Sequence, residues 1–202
     1  MTPDGSTLST VGKLGVVAGW CVFAAGVWLR RRAPASGERA RDRTSVAAIV
    51  IQAASFALVW GVRRPQGTPI LPMSLVTWML LTGLAIALAL GSAWLGVAAI
   101  RTLGKQWSLQ ARITQDHELI TSGPYRFVRH PIYTAMLGLL ISTAVAFSRP
   151  IGFVAGLLTF VVGTTLRVRV EERLLRATFG EPYDAYVRQV PAVVPRIRGS
   201  SG

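Results

Sequence analysis

The side chains best suited to chemistry lie in the second half of this 202-residue chain: the only two histidines, His117 and His130, and the group Arg167, Glu171 and Glu172. Histidine and glutamate can hold or move protons, and arginine binds carboxylate or phosphate through its planar fork. Arg167 and Glu171 are spaced i, i+4 and share one side of a helix. As a bare surface ion pair they are worth only about 0.3 to 0.5 kcal/mol, and Glu172 with Arg176 repeats the pattern. Two histidines with no cysteine or carboxylate cluster at ligand spacing predict no metal site. No GxGxxG, P-loop or HExxH pattern points to a dinucleotide, a nucleotide or zinc. Cys21 is the single cysteine, so no internal disulfide forms, and it reads as a small hydrophobe in an apolar segment.

The elements that must position these groups are hydrophobic helices. Hydrophobic residues make up 51% of the chain and charged ones 15%, with mean hydropathy +0.44. That composition excludes an ordinary soluble domain. Apolar stretches at 11–29, 45–62, 71–100, 132–147 and 151–166 predict a single all-α integral membrane domain over 1–202, with about five transmembrane helices. The third stretch exceeds one straight crossing and implies tilt or extension beyond lipid. Only Ser148, Arg149 and Pro150 separate the fourth from the fifth, which predicts a tight hairpin. Gly15 and Gly19, and Gly152 and Gly156, have the spacing that lets helix backbones approach closely, within the chain or in a homodimer.

Charge placement gives the helices a direction. Of the 22 Lys and Arg, 18 fall in the first loop, the third loop and the tail, and only four (Lys13, Arg63, Arg64 and Arg149) on the other side. The positive-inside rule places the 18 in the cytoplasm and the amino terminus outside, which requires an odd number of crossings. The net charge of +13 is thereby a topology signal and not a nucleic-acid footprint.

The third loop, 101–131, mixes aromatics, charges and both histidines with the breakers Gly104, Gly123, Pro124 and Pro131, so a compact, ordered loop is expected. Pro131 suits the first turn of the fourth helix. The fifth helix should continue through 167–178 to a stop at Phe179-Gly180. A last short helix from Pro182 would carry Tyr183, Tyr186 and Val190 on its apolar face and fold back as a lid or buttress. The hairpin brings His130 and the pair Arg167 and Glu171 to one membrane face, since packed helix axes lie about 8 to 10 Å apart. A polar cytoplasmic pocket follows from the residues alone, but no particular reaction.

The stretch His117-Glu118-Leu119-Ile120-Thr121-Ser122-Gly123-Pro124-Tyr125, followed by Arg129-His130-Pro131-Ile132-Tyr133, resembles the signature of the isoprenylcysteine carboxyl methyltransferase family and its phospholipid methyltransferase relatives. Arg167 through Glu171-Glu172, then Phe179-Gly180, Tyr183 and Tyr186 to Pro191, is similar to that family's carboxyl-terminal motif, in the same order. The resemblance implies an S-adenosylmethionine-dependent membrane methyltransferase whose cofactor is held by the loop 101–131 and the tail 167–198. It implies cofactor contacts from His117, Leu119, Thr121, Gly123, Pro124, Tyr125, His130, Pro131, Tyr133, Glu171 and Glu172, and catalytic roles for His130, Arg167 and Glu171. Arg167 would face the cofactor carboxylate or an anionic acceptor, and Gln106 offers a further polar contact.

The implied acceptor is lipophilic, foremost the carboxylate of an isoprenylcysteine-like molecule, entering laterally from the bilayer. A phospholipid amine or a small thiol is the alternative, and either would require a base, for which His130 or a glutamate is the first candidate. A non-catalytic protein that packs membrane lipids is a reading from another class. The expected location is the cell inner membrane, with the active site cytoplasmic; membrane lipids are the expected partners, a homodimer is the alternative use of the glycine spacings, and nucleic acid is not a partner.

Overall fold

The computed structural model describes residues 4–30, 38–41, 44–107, 112–114 and 118–195. Among them are six α-helices: α1 (Gly5–Arg30), α2 (Thr44–Gly61), α3 (Leu75–Leu103), α4 (Pro131–Phe147), α5 (Pro150–Phe179) and α6 (Glu181–Gln189). Short 3-10 turns at Gly104–Gln106 and Gly123–Arg126, and two strands, β1 (Glu38–Arg41) and β2 (Arg112–Thr114), complete the described elements. The architecture is the expected all-helical membrane fold. Helices α1, α3 and α5 are long and apolar enough to cross a bilayer; the apolar helices Val46–Gly61 and Pro131–Phe147 are shorter.

Local chemistry sets the helix ends. Hydropathy suggests a third helix from residue 71, but α3 starts at Leu75, because Ser74 is its cap and accepts a hydrogen bond from the Thr77 amide at 3.1 Å. Pro131 and Pro150 each sit in the first turn of their helix, where a missing N–H costs nothing. Helix α5 runs on past its apolar half and stops where Gly180 takes φ +56°, a left-handed conformation that glycine adopts without a Cβ clash.

Successive helices alternate in direction. β1, after α1, pairs antiparallel with β2, after α3, so those two connections share one face. On the opposite face Arg63 bridges Ser148, and Gln66 Nε2 donates to Thr10 Oγ1 at 3.1 Å. The α4–α5 hairpin forms as the short connection requires, yet each helix has a different main neighbour: α5 packs chiefly on α2, α4 chiefly on α3, and α3 also on α1. Small residues decide this arrangement. Gly15 and Gly19 lie against Ile86 and Ala89 of α3, while Gly156 and Gly163 lie against Val59 and Gln52 of α2 and Gly152 against Ser148 and against Val62, just past the end of α2. Both glycine spacings are therefore used inside the chain. Two polar pairs fasten the apolar bundle: Trp20 Nε1 donates to Thr143 Oγ1 and Gln52 Nε2 to Thr164 Oγ1, each at 2.9 Å.

Candidate active site

The start of α4, the emerging half of α5 and the tail meet at one end of the bundle. His130, immediately before α4, is buried between two carboxylates. Its Nδ1 is 3.4 Å from Glu171 Oε2, and its Nε2 is 3.4 Å from Glu172 Oε1. Carboxylates only accept hydrogen bonds, and only the imidazolium has two N–H donors, so this geometry selects charged histidine. Burial pulls the imidazole's pKa down, but the hydrogen bonds and charges of Glu171 and Glu172 outweigh it, and the group lies above its ordinary value.

Glu171 accepts further contacts from Arg167 Nη2 at 3.4 Å and from the Tyr133 hydroxyl. The Tyr133 ring stacks on His130 with centroids 5.6 Å apart, and the Arg167 guanidinium lies 5.2 Å from the Tyr133 centroid. The i, i+4 ion pair expected from sequence thus exists, but its arginine is buried and its glutamate half-buried, and it is joined to His130 and to Tyr133 of α4. Glu172 faces the other way, toward Arg129 (Nη2 at 2.7 Å, Nε at 3.0 Å) and Arg176 at 3.7 Å.

The tail closes over this cluster. Arg129 Nη1 donates to the carbonyls of Val187, at 3.3 Å, and Val190. The Arg129 and His130 amides donate to the carbonyls of Pro191 and Ala192, each at 2.8 Å, and Thr134 Oγ1 donates to that of Val193 at 2.5 Å. Tyr186 donates to the Tyr125 carbonyl at 2.5 Å, fastening α6 onto the 3-10 turn. The expected fold-back of the tail is present, and it grips the backbone on both sides of His130.

His130, Tyr133, Arg167, Glu171 and Glu172 are therefore brought together, with Pro131 buried at the helix start beneath them. Tyr125 is buried, and its carbonyl accepts from Tyr186 of α6. Gly123 and Pro124 form the turn that carries Tyr125, and Gly123 takes φ +58°. Leu119 is half-buried and Thr121 exposed. His117 lies outside the described residues. Gln106 is near the end of α3, and its Oε1 is buried without a hydrogen-bond donor among the described residues. No group of three or more His, Cys, Asp or Glu among the described residues is arranged to hold a metal. Arg129 is the member of the charged cluster that sequence reasoning left without a role; its position beside His130, ahead of paired glutamates on a returning helix, was the available signal.

Comparison with known proteins places this arrangement. Residues 68–177, which contain every member of the charged cluster, match the profile of the isoprenylcysteine carboxyl methyltransferase (ICMT) family. The chain belongs to that family. The ICMT match spans α3, α4 and most of α5, and leaves α1, α2 and the tail beyond Ala177 outside it. The chain is similar to the cobalt-zinc-cadmium resistance protein CzcN of Cupriavidus metallidurans, with 31% identity over 166 residues, 80% of this chain and 68% of that protein. It is similar to the human protein-S-isoprenylcysteine O-methyltransferase, with 35% identity over 126 residues, 61% of this chain and 44% of that enzyme. A probable protein-S-isoprenylcysteine O-methyltransferase of Oryza sativa is 35% identical over 101 residues, 49% of this chain and 53% of the relative. The chain thus spans about half the length of these ICMT enzymes. Its fold resembles the solved structure of the eukaryotic intramembrane Ras methyltransferase ICMT, with TM-score 0.54 and 24% identity over 76% of this chain and 53% of that one.

The histidine geometry makes a pH-dependent stability. A group whose folded pKa is raised contributes stability that is whole below its unfolded value, near 6.5, and is lost as pH rises through the folded value. The wild-type melting temperature in detergent should therefore fall between pH 6 and pH 9 by more than that of His130→Gln. Parallel curves for the two proteins would show that His130 is not the titrating group.

Proposed function

We propose that this protein transfers a methyl group from S-adenosylmethionine to the carboxylate of a lipophilic, isoprenylcysteine-like acceptor. The observation that carries the reading is the cluster of His130, Tyr133, Arg167, Glu171 and Glu172 at one end of the bundle, within the segment matched to the family. Its donor set suits the cofactor. Glu171 and Glu172 complement an ammonium or sulfonium charge, Arg167 complements a carboxylate, and the Tyr133 ring offers a π face to a cation. When bound, S-adenosylmethionine supplies an electrophilic methyl group on a positively charged sulfur.

The state of His130 favours a carboxylate acceptor over an amine or thiol. An amine or neutral thiol must lose a proton, which needs a base, and a carboxylate 3.4 Å from each ring nitrogen favours the protonated His130 and disfavours it as that base. A carboxylate oxygen attacks with its own electron pair and releases no proton. Arg167 would orient that carboxylate, Tyr133 would fix Glu171 through its hydroxyl, and the tail strap would keep water from the cluster. Opposite charges cancel as the methyl passes, so a site shielded from water favours the transfer.

The site would face the cytoplasm from the cell inner membrane with the amino terminus outside, on the strength of the 18 to 4 partition of Lys and Arg and five crossings that include the shorter α2 and α4. The acceptor's hydrocarbon would arrive from the bilayer, between helices. Isothermal titration of the folded protein in nanodiscs with S-adenosylmethionine tests the reading. Saturable binding is expected, weakened in His130→Ala and unchanged in Glu38→Ala; a folded protein that binds none is not a methyltransferase of this kind. Methyl transfer to isoprenyl-cysteine analogues, phospholipid amines and small thiols in parallel then identifies the acceptor.

A further inference from the structure

Among the described residues, the face opposite the cluster holds four side-chain cations, and all four gather at the turn between α4 and α5. Phe147, the last residue of α4, is the hub. Lys13 Nζ lies 5.9 Å from the centroid of its ring, the Trp60 ring centroid is 4.5 Å away, and its carbonyl accepts from the Arg64 amide at 3.1 Å. The three arginines are held by backbone carbonyls, not by acids. Arg64 donates through Nε, Nη1 and Nη2 to Thr68, Ser148 and Val145, at 2.8, 3.0 and 2.6 Å, so it is a pin for the turn.

Arg63 and Arg149 are different. Each is exposed and anchored through Nε alone, Arg63 to the Trp60 carbonyl at 2.8 Å and Arg149 to the Arg63 carbonyl at 3.1 Å. The anchors aim the two guanidinium forks, whose terminal nitrogens meet no acceptor among the described residues. Asp4 is the one carboxylate in the sequence on this face, and it is taken up by Ser6 and Thr7 at the start of α1. The cluster's positive charge is thus uncompensated within the described protein. Immediately beyond Arg149 in the chain, Ile151 and Val154 of α5 are 69% and 53% exposed and present apolar surface.

Two pre-aimed guanidinium forks, two further cations and an adjoining apolar helix face complement a molecule with a phosphate at one end and a hydrocarbon chain at the other. We propose that Arg63 and Arg149 bind the phosphate of a phospholipid in the leaflet opposite the charged cluster, with an acyl chain lying along Ile151 and Val154. Anionic lipid is preferred, because a choline headgroup adds a cation beside four others. The bound lipid braces the α4–α5 turn, whose far ends carry His130 and Glu171. Planar forks held by backbone anchors lose little freedom on meeting a phosphate, which suits a resident lipid.

Native mass spectrometry of the detergent-solubilised full chain, titrated with phosphatidylglycerol or phosphatidylcholine, tests the site. Wild type should retain one phosphatidylglycerol at about tenfold lower lipid concentration than phosphatidylcholine. R63Q/R149Q should lose that preference, whereas R31Q/R32Q, which removes two cations of the first loop, should keep it. Because Arg149 also ties the turn, Arg63→Gln alone, whose Nε reaches only its own helix end, should weaken retention in the same direction. Equal retention of both lipids by wild type, unchanged retention in R63Q/R149Q, or equal loss in R31Q/R32Q would overturn the proposal. Displacement of the lipid by millimolar inorganic phosphate would assign the forks to a free anion instead, and would overturn it equally.

Discussion

Under the proposed function, Glu171→Gln should lower both S-adenosylmethionine affinity and methyl transfer by about a hundredfold, the larger of the effects expected at single positions. The substitution keeps the side chain's shape and removes its charge. Glu171 is the meeting point of three groups from two helices: His130 Nδ1, Arg167 Nη2 and the Tyr133 hydroxyl. Breaking one partner of a buried charge pair costs about 3 to 5 kcal/mol, because the remaining charge is left in a low-dielectric setting. That cost falls on folding; for the cofactor, a lost hydrogen bond between charged groups is worth about 1.5 to 3 kcal/mol, and the upper end corresponds to roughly a hundredfold in binding. An amide also offers Arg167 and His130 a donor where they need an acceptor, so Arg167 would turn away from the stack on Tyr133. Calorimetry and single-turnover methyl transfer on the same preparation check this. A Glu171→Gln protein that binds the cofactor as wild type does would remove this carboxylate from the cofactor site.

Much of this site follows from the sequence because it depends on short connections and breakers. Three residues between two apolar runs leave the chain no alternative to a hairpin, so His130 and Glu171 had to return to one face. Gly180 had to end α5, since the residues before it are good helix formers and none is a breaker. The choice of helix neighbours was not legible. Glycine spacing shows that a helix face permits close approach, but α2, which receives Gly156 and Gly163, bears no mark of being the receiver. The pairing of β1 with β2 was equally hidden, because neither Glu38–Arg41 nor Arg112–Thr114 has the alternating apolar pattern of a strand. Sequence also could not reveal contacts made to backbone carbonyls. A carbonyl has no residue type, so the partners of Arg129 at Val187 and Val190 leave no signature.

That blind spot makes Arg129 the second position of large effect. Its guanidinium joins Glu172 to the carbonyls of Val187 and Val190, and its amide holds that of Pro191, so one residue connects α5, the start of α4 and the tail. Arg129→Ala leaves Glu172 with Arg176, 3.7 Å away and half-exposed, and with His130, which it must share with Glu171. Glu172 would then draw His130 from Glu171, while the strap beyond Gln189 loses its side-chain anchor. The expected result is a tenfold to hundredfold loss of cofactor affinity, together with faster tryptic cleavage at Arg188. Arg129→Lys should restore little, since an ammonium cannot reach a carboxylate and two carbonyls in the directions of a planar fork. A loss of affinity without added cleavage would mean that Arg129 touches the cofactor directly. Both changes together, with methyl transfer per bound cofactor preserved, identify it as the residue that couples closure of the tail to the position of His130.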